Sequence, residues 1–184
     1  MSVTSPPAEL SRLRRVFDYH CSAGEPISRP GDGKPNDLLD AFGGRLADEL
    51  RRLQLPNSAV HILAAAPLAS TAWTAAGMSL EARQRTLAAG TLPGITTGSA
   101  VWQTLSLWLE GRPDHHLLQI WEDYVGALGW VVSVESLKEL QTITGRRCRA
   151  IFRVASGCVG ISRFRPADHP LLRRLDRAFC FSAR

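Results

Sequence analysis

The stretch Gly145–Pro166, GRRCRAIFRVASGCVGISRFRP, decides how this chain is read. From Cys148 to Val154, and again from Cys158 to Phe164, small or apolar residues recur at every second position. Ala155-Ser156-Gly157 between them suits a three-residue turn with Gly157 in the left-handed conformation, so the pattern predicts a β-hairpin. Successive strand side chains point to opposite faces. One face would then carry Cys148, Ala150, Phe152, Val154, Cys158, Gly160, Ser162 and Phe164, and the other Arg147, Arg149, Arg153, Arg163 and Arg165.

Working outward, WVVSVES (130–136) is β-branched and short enough for a strand. SLKELQTIT (136–144) has the spacing of a capping box, Ser136 with Glu139 three residues on. Downstream, a helix beginning near Asp168 or Pro170 would turn Leu171, Leu172, Leu175 and Phe179 inward and Arg173, Arg174 and Arg177 outward. The C-terminal segment therefore reads β-α-β-β-α.

Before it the chain reads as helices joined by loops. Leu10, Leu13, Val16 and Phe17 place an amphipathic helix over 6–19. CSAGEPISRPGDGKPND (21–37) holds three prolines and three glycines in 17 residues and reads as a linker. Leu38, Leu39, Phe42, Leu46, Leu50 and Leu53 predict a helix running through Gly43 and Gly44 to a stop at Pro56. The nearly uncharged SAVHILAAAPLASTAWTAAG (58–77) predicts the centre of the core, split into two short helices by Pro67. Helices follow from Ser79 to Gly90, over AVWQTLSLWLE (100–110), and from Pro113 to Leu128, the last two packing as an antiparallel hairpin. The expected fold class is α+β: a mainly helical single domain with a C-terminal β-α-β-β-α segment containing an Arg-rich hairpin. Residues 1–35 form an N-terminal helix and linker, and 36–184 the domain.

The formal net charge of +5 hides an asymmetry. Residues 1–141 carry 12 basic and 15 acidic side chains; residues 142–184 carry 10 arginines against Asp168 and Asp176. Arginine outnumbers lysine 20 to 2, which a GC-rich coding sequence would produce without functional pressure, so the position of the arginines matters more than their type. No apolar run has the ~18–20 residues of a membrane span and no signal peptide is evident, which points to a cytoplasmic protein.

Cys21, Cys148, Cys158 and Cys180 make no CxxC pair and read as free thiols without assigned chemistry. In RPDHHLLQIWED (112–123), His115 and Glu122 are seven residues apart, as are His116 and Asp123; on a helix each pair is two turns, about 10 Å, apart and cannot share a metal ion. Asp114 reads as a helix cap, His61 as a hydrogen-bonded core histidine and His169 as a helix-start residue. No P-loop, dinucleotide fingerprint or nucleophile elbow is present. An enzyme would need His20, His61 or His115 beside a carboxylate from a distant segment.

These observations lean away from an enzyme and imply no cofactor and no metal. They favour an accessory, adaptor or chaperone-like subunit of a bacterial multiprotein assembly, binding an acidic protein partner through Arg147, Arg149, Arg153, Arg163 and Arg165 or through an apolar helical groove. The alternative is a nucleic-acid or polyanion-binding module that uses the same arginines.

Overall fold

The structure, a computed structural model, describes residues 8–22, 41–55, 57–74, 95, 97–155 and 169–180. Among them the regular elements are helices: α1 (Ala8–Ser22), α2 (Gly44–Arg52), α3 (Asn57–Thr74), α4 (Ala100–Glu110), α5 (Leu117–Leu128), α6 (Val134–Ala155) and α7 (Pro170–Ala178). No described residue is in a strand, which overturns the α+β class and the β-α-β-β-α segment. Of the predicted linker, Cys21 and Ser22 belong to α1 and the rest lies outside the described residues, as do the Ser79–Gly90 helix and the second hairpin strand with Arg163 and Arg165.

The first hairpin strand is instead the last third of α6. Leu140, Thr144, Cys148, Ile151 and Phe152 are buried at intervals of three and four, the period of a helix face, and the Cys148–Val154 alternation is a short coincidence within it. The helix starts earlier than the capping box implied. Ser133, not Ser136, is the cap: its hydroxyl accepts from the Ser136 backbone N–H at 3.2 Å. The predicted strand 130–136 is the turn into this helix and its first residues.

Gly145 lies inside α6 with the Arg149 guanidinium folded over it; a Cβ there would meet Arg149 Nη1 at 3.1 Å. Arg149 is exposed and can move aside. Gly145→Ala is therefore expected to stabilise the protein by about 0.5–1 kcal/mol through helix propensity, read as a higher midpoint in urea. A lower midpoint would mean that the glycine is needed for close approach.

α3 is the axis of the molecule. Uncharged and apolar on every side, it packs against α4, α5, α6 and α7, while α1 packs on α5 and α2 on α6. Ala59, Ala64, Ala65, Ala66, Ala69 and Ala72 are buried along it, so neighbouring helices can come close. The pair α4 and α5 does not form the expected hairpin: each lies chiefly against α3. A helix that is apolar all round offers both of them more surface than they offer each other.

Pro67 does not split α3, which runs unbroken through it. Proline lacks the N–H that would bond to the carbonyl of Leu63, four residues back. That carbonyl accepts instead from the Trp121 indole N–H of α5, at 3.2 Å. The sequence expectation stopped at the missing donor; the tertiary partner supplies another. Further cross-links follow the same pattern: Trp73 Nε1 donates to Trp108 O at 2.8 Å, and His61 Nδ1 lies 3.2 Å from Thr104 Oγ1, in agreement with a hydrogen-bonded core histidine.

Nor does the α2 region run through its glycine pair. Gly43 and Gly44 have φ of 64° and 51°, left-handed values that favour glycine, and α2 starts after the first of them. Its N-terminus is served from α6, where Glu139 Oε2 accepts from the Leu46 N–H at 3.4 Å. The favour is returned at the other end. Glu49 of α2 accepts from Ser133 N–H at 2.9 Å and from Ser133 Oγ at 2.8 Å, holding the α6 cap in place. Two antiparallel helices thus supply each other's N-terminal acceptors, and Glu139 serves a distant helix rather than a local box.

Candidate docking site between α1 and α5

The arginines singled out in the sequence part company on a helix. Positions 147 and 149 are about 200° apart around the axis, so they face opposite sides. Arg147 is only 4% exposed, and burial, with Arg146 alongside, pushes its guanidinium down to about 10 against the smaller opposing effect of Cys148. Arg149 is exposed. Arg153 follows one turn later in the same helix, and Arg163 and Arg165 lie outside the described residues. Cys148, between the two nearer arginines, is fully buried and its thiol is pushed up to about 12, chiefly by burial, which removes it as a nucleophile at neutral pH.

Arginines on α7 are also exposed, but one is committed. Arg174 forms a fork with Glu122 of α5, Nε to Oε1 at 2.6 Å and Nη2 to Oε2 at 2.8 Å. The pair pins α7 to α5 beside the Trp121–Phe179 edge contact.

A different basic cluster has a concave surface. α1 lies antiparallel to α5, its inner side anchored by buried Leu13 and His20 and half-buried Val16. The spacing that buries those residues turns Arg12, Arg15 and Tyr19 toward an open cleft of about 470 Å³, completed by Val16, His20 and Asp123. Tyr19 is 70% exposed and Trp130, just past the end of α5, is 47% exposed. The Arg12 guanidinium carbon sits 5.0 Å from the Trp130 ring centroid, a cation–π geometry that holds the charge in place.

At the inner end of the cleft, His20 is 6% exposed and stands between Tyr19 and Tyr124, at centroid distances of 5.2 and 5.9 Å. Its Nε2 lies 3.3 Å from Asp123 Oδ2, close enough for an ion pair but not aligned as a hydrogen bond. The other carboxylate oxygen of Asp123 accepts from Gln119 Nε2 at 3.3 Å. His20 therefore does meet a carboxylate from a distant segment, as does His115 a near one, Asp114 Oδ1 at 3.2 Å, whereas His61 meets a threonine. The described lining of the cleft nevertheless holds no serine, threonine or cysteine to act as a nucleophile. The lining offers two guanidinium groups, an exposed tyrosine ring and a buried imidazole beside the part-exposed Asp123 carboxylate, with the exposed Trp130 ring against Arg12.

Arg12, Arg15 and Tyr19 share a helix face at spacings of three and four, a signal present in the sequence. Asp123 in the cleft and Trp130 beside Arg12 carry no such signal, because only the pairing of α1 with α5 brings them to α1. No helix among the described residues is long and apolar enough to cross a membrane. No protein family, no curated protein and no solved structure matches this chain.

Proposed function

We propose that this protein is a non-enzymatic adaptor that docks an acidic segment of a protein partner in the α1–α5 cleft. The observation that carries the reading is the placement of Arg12 and Arg15 in one cleft with exposed Tyr19, and of the exposed Trp130 ring against the Arg12 guanidinium. Tyrosine, tryptophan and arginine are the residue types that dominate binding energy at protein interfaces, because they combine large, stiff apolar area with a polar or charged tip. The guanidinium forks favour carboxylates on the incoming chain. A nucleic-acid backbone is a poorer fit: it asks for a continuous cationic track, whereas Asp123 lines this cleft and Arg147 is withdrawn into the core.

The test is photo-crosslinking from benzoylphenylalanine placed at position 19 or 130, in extracts of the protein's own cells, with the crosslinked species identified by mass spectrometry. The partner should present an acidic segment, and Arg12→Glu with Arg15→Glu should weaken its measured affinity by at least about tenfold. Arg173→Glu with Arg177→Glu, on α7 and outside the cleft lining, should leave the affinity unchanged. Equal loss in both pairs, or tight binding of unrelated DNA duplexes at physiological salt, would replace docking of a protein segment with general polyanion binding.

A further inference from the structure

We infer that the turn Asp114-His115-His116, which leads into α5, is a binding site for one divalent transition-metal ion of the zinc, nickel or cobalt type. This site is separate from the docking cleft and does not depend on it. One ligand atom from each of the three residues can be chosen so that all lie within 4.8 Å of one another. His115 Nδ1 and Asp114 Oδ1 are already 3.2 Å apart, and the two imidazole centroids are 3.8 Å apart. With metal–ligand distances of about 2.0–2.2 Å, neighbouring ligand atoms in a tetrahedral or octahedral shell stand about 3–3.5 Å apart, so small rotations of these exposed side chains close the set.

The backbone makes that arrangement a property of the turn. The His116 N–H donates to Asp114 Oδ1 at 2.7 Å and the Leu117 N–H to Asp114 O at 3.0 Å, while buried Leu117 and Leu118 fix the residues that follow. The two histidines precede the helix. On α5 neighbouring side chains would diverge by 100°, but α5 begins at Leu117 and the histidines belong to the turn before it. The pairs His115/Glu122 and His116/Asp123 are not what forms the site.

Ligand type selects the metal. Two imidazole nitrogens and one carboxylate oxygen suit zinc, nickel, cobalt or copper, and disfavour magnesium and calcium, which take oxygen ligands. The positive end of α5 opposes a cation, and the Asp114 carboxylate offsets that field. Three protein ligands on an exposed turn leave the remaining coordination positions to water.

The experiment uses the full chain without a polyhistidine tag, stripped with chelator and titrated with Zn²⁺ and Ni²⁺ by calorimetry and with Co²⁺ by visible absorption. The expected result is one saturable equivalent per chain, weakened at least about tenfold by His115→Ala with His116→Ala, and also by Asp114→Asn, with helix content unchanged. Absence of a saturable equivalent, or binding that persists at full strength in the double variant, would overturn the site. Persistence in that variant but loss in His20→Gln would move the metal to the cleft and overturn it equally.

Discussion

Trp121→Phe should destabilise the protein by about 3 kcal/mol, a large share of the stability of a domain this size. The phenyl ring fills most of the space but leaves the Leu63 carbonyl, inside the core, with no donor; an unsatisfied buried acceptor costs about 1–3 kcal/mol, and the lost ring volume adds to it. The cause can be isolated. Pro67→Ala restores a backbone N–H at the position that normally bonds to that carbonyl, so in the Trp121→Phe background it should recover a good part of the loss. In the wild-type background the same change brings a second donor to an acceptor already in use and should gain less. A double-mutant cycle by urea denaturation measures the difference, and strict additivity would show that Trp121 matters only as bulk.

The second large effect is at Glu49. Burial raises its carboxyl, but the hydrogen bonds from the Ser133 N–H, the Ser133 hydroxyl and Ser136, together with Arg45, outweigh burial and hold it below the ordinary value of 4.5. A group depressed in the folded state contributes stability at pH above its unfolded value and loses it as the pH falls through the folded value. Glu49→Ala should therefore cost about 2–3 kcal/mol near neutral pH, from two charge-assisted hydrogen bonds and the α6 cap they support. The gap between wild type and variant should narrow as the pH is lowered below 4.5. A gap that stays constant from pH 7 to pH 3 would assign the effect to packing alone.

The helices that were legible in the sequence are those whose local signals agree. α4 has Ser99 accepting from the Trp102 N–H at its start, Gly111 at its end and a buried face of Val101, Leu105, Trp108 and Leu109 between them. α7 follows His169 and Pro170 with Leu171, Leu172 and Leu175 inside. α6 is ambiguous in the sequence because residues 148–154 satisfy two periods at once. Over seven residues an arginine-interleaved strand and an amphipathic helix look alike; over the full run from Ser133 to Ala155 only the helix buries Leu140, Thr144, Cys148 and Ile151 together. Tertiary effects account for the rest. Pro67 is tolerated because of a tryptophan 54 positions away, and Glu139 caps a helix 93 positions from it. The cleft was half legible: its α1 side is a spacing in the sequence, and its α5 side is a consequence of packing.

The central place of α3 has a consequence for synthesis. It precedes in the chain every one of the four helices that cover it, α4 to α7. At roughly 5–20 residues per second, the ~100 residues between its end and the end of α7 take about 5–20 s to appear, an interval far longer than hydrophobic collapse or aggregation encounters require. Throughout that time an 18-residue segment with no charged side chain is without its complete shell. Nascent chains halted between α3 and α5 should be strong substrates for ribosome-associated chaperones, and the need should vanish once α6 and α7 are available to close over it.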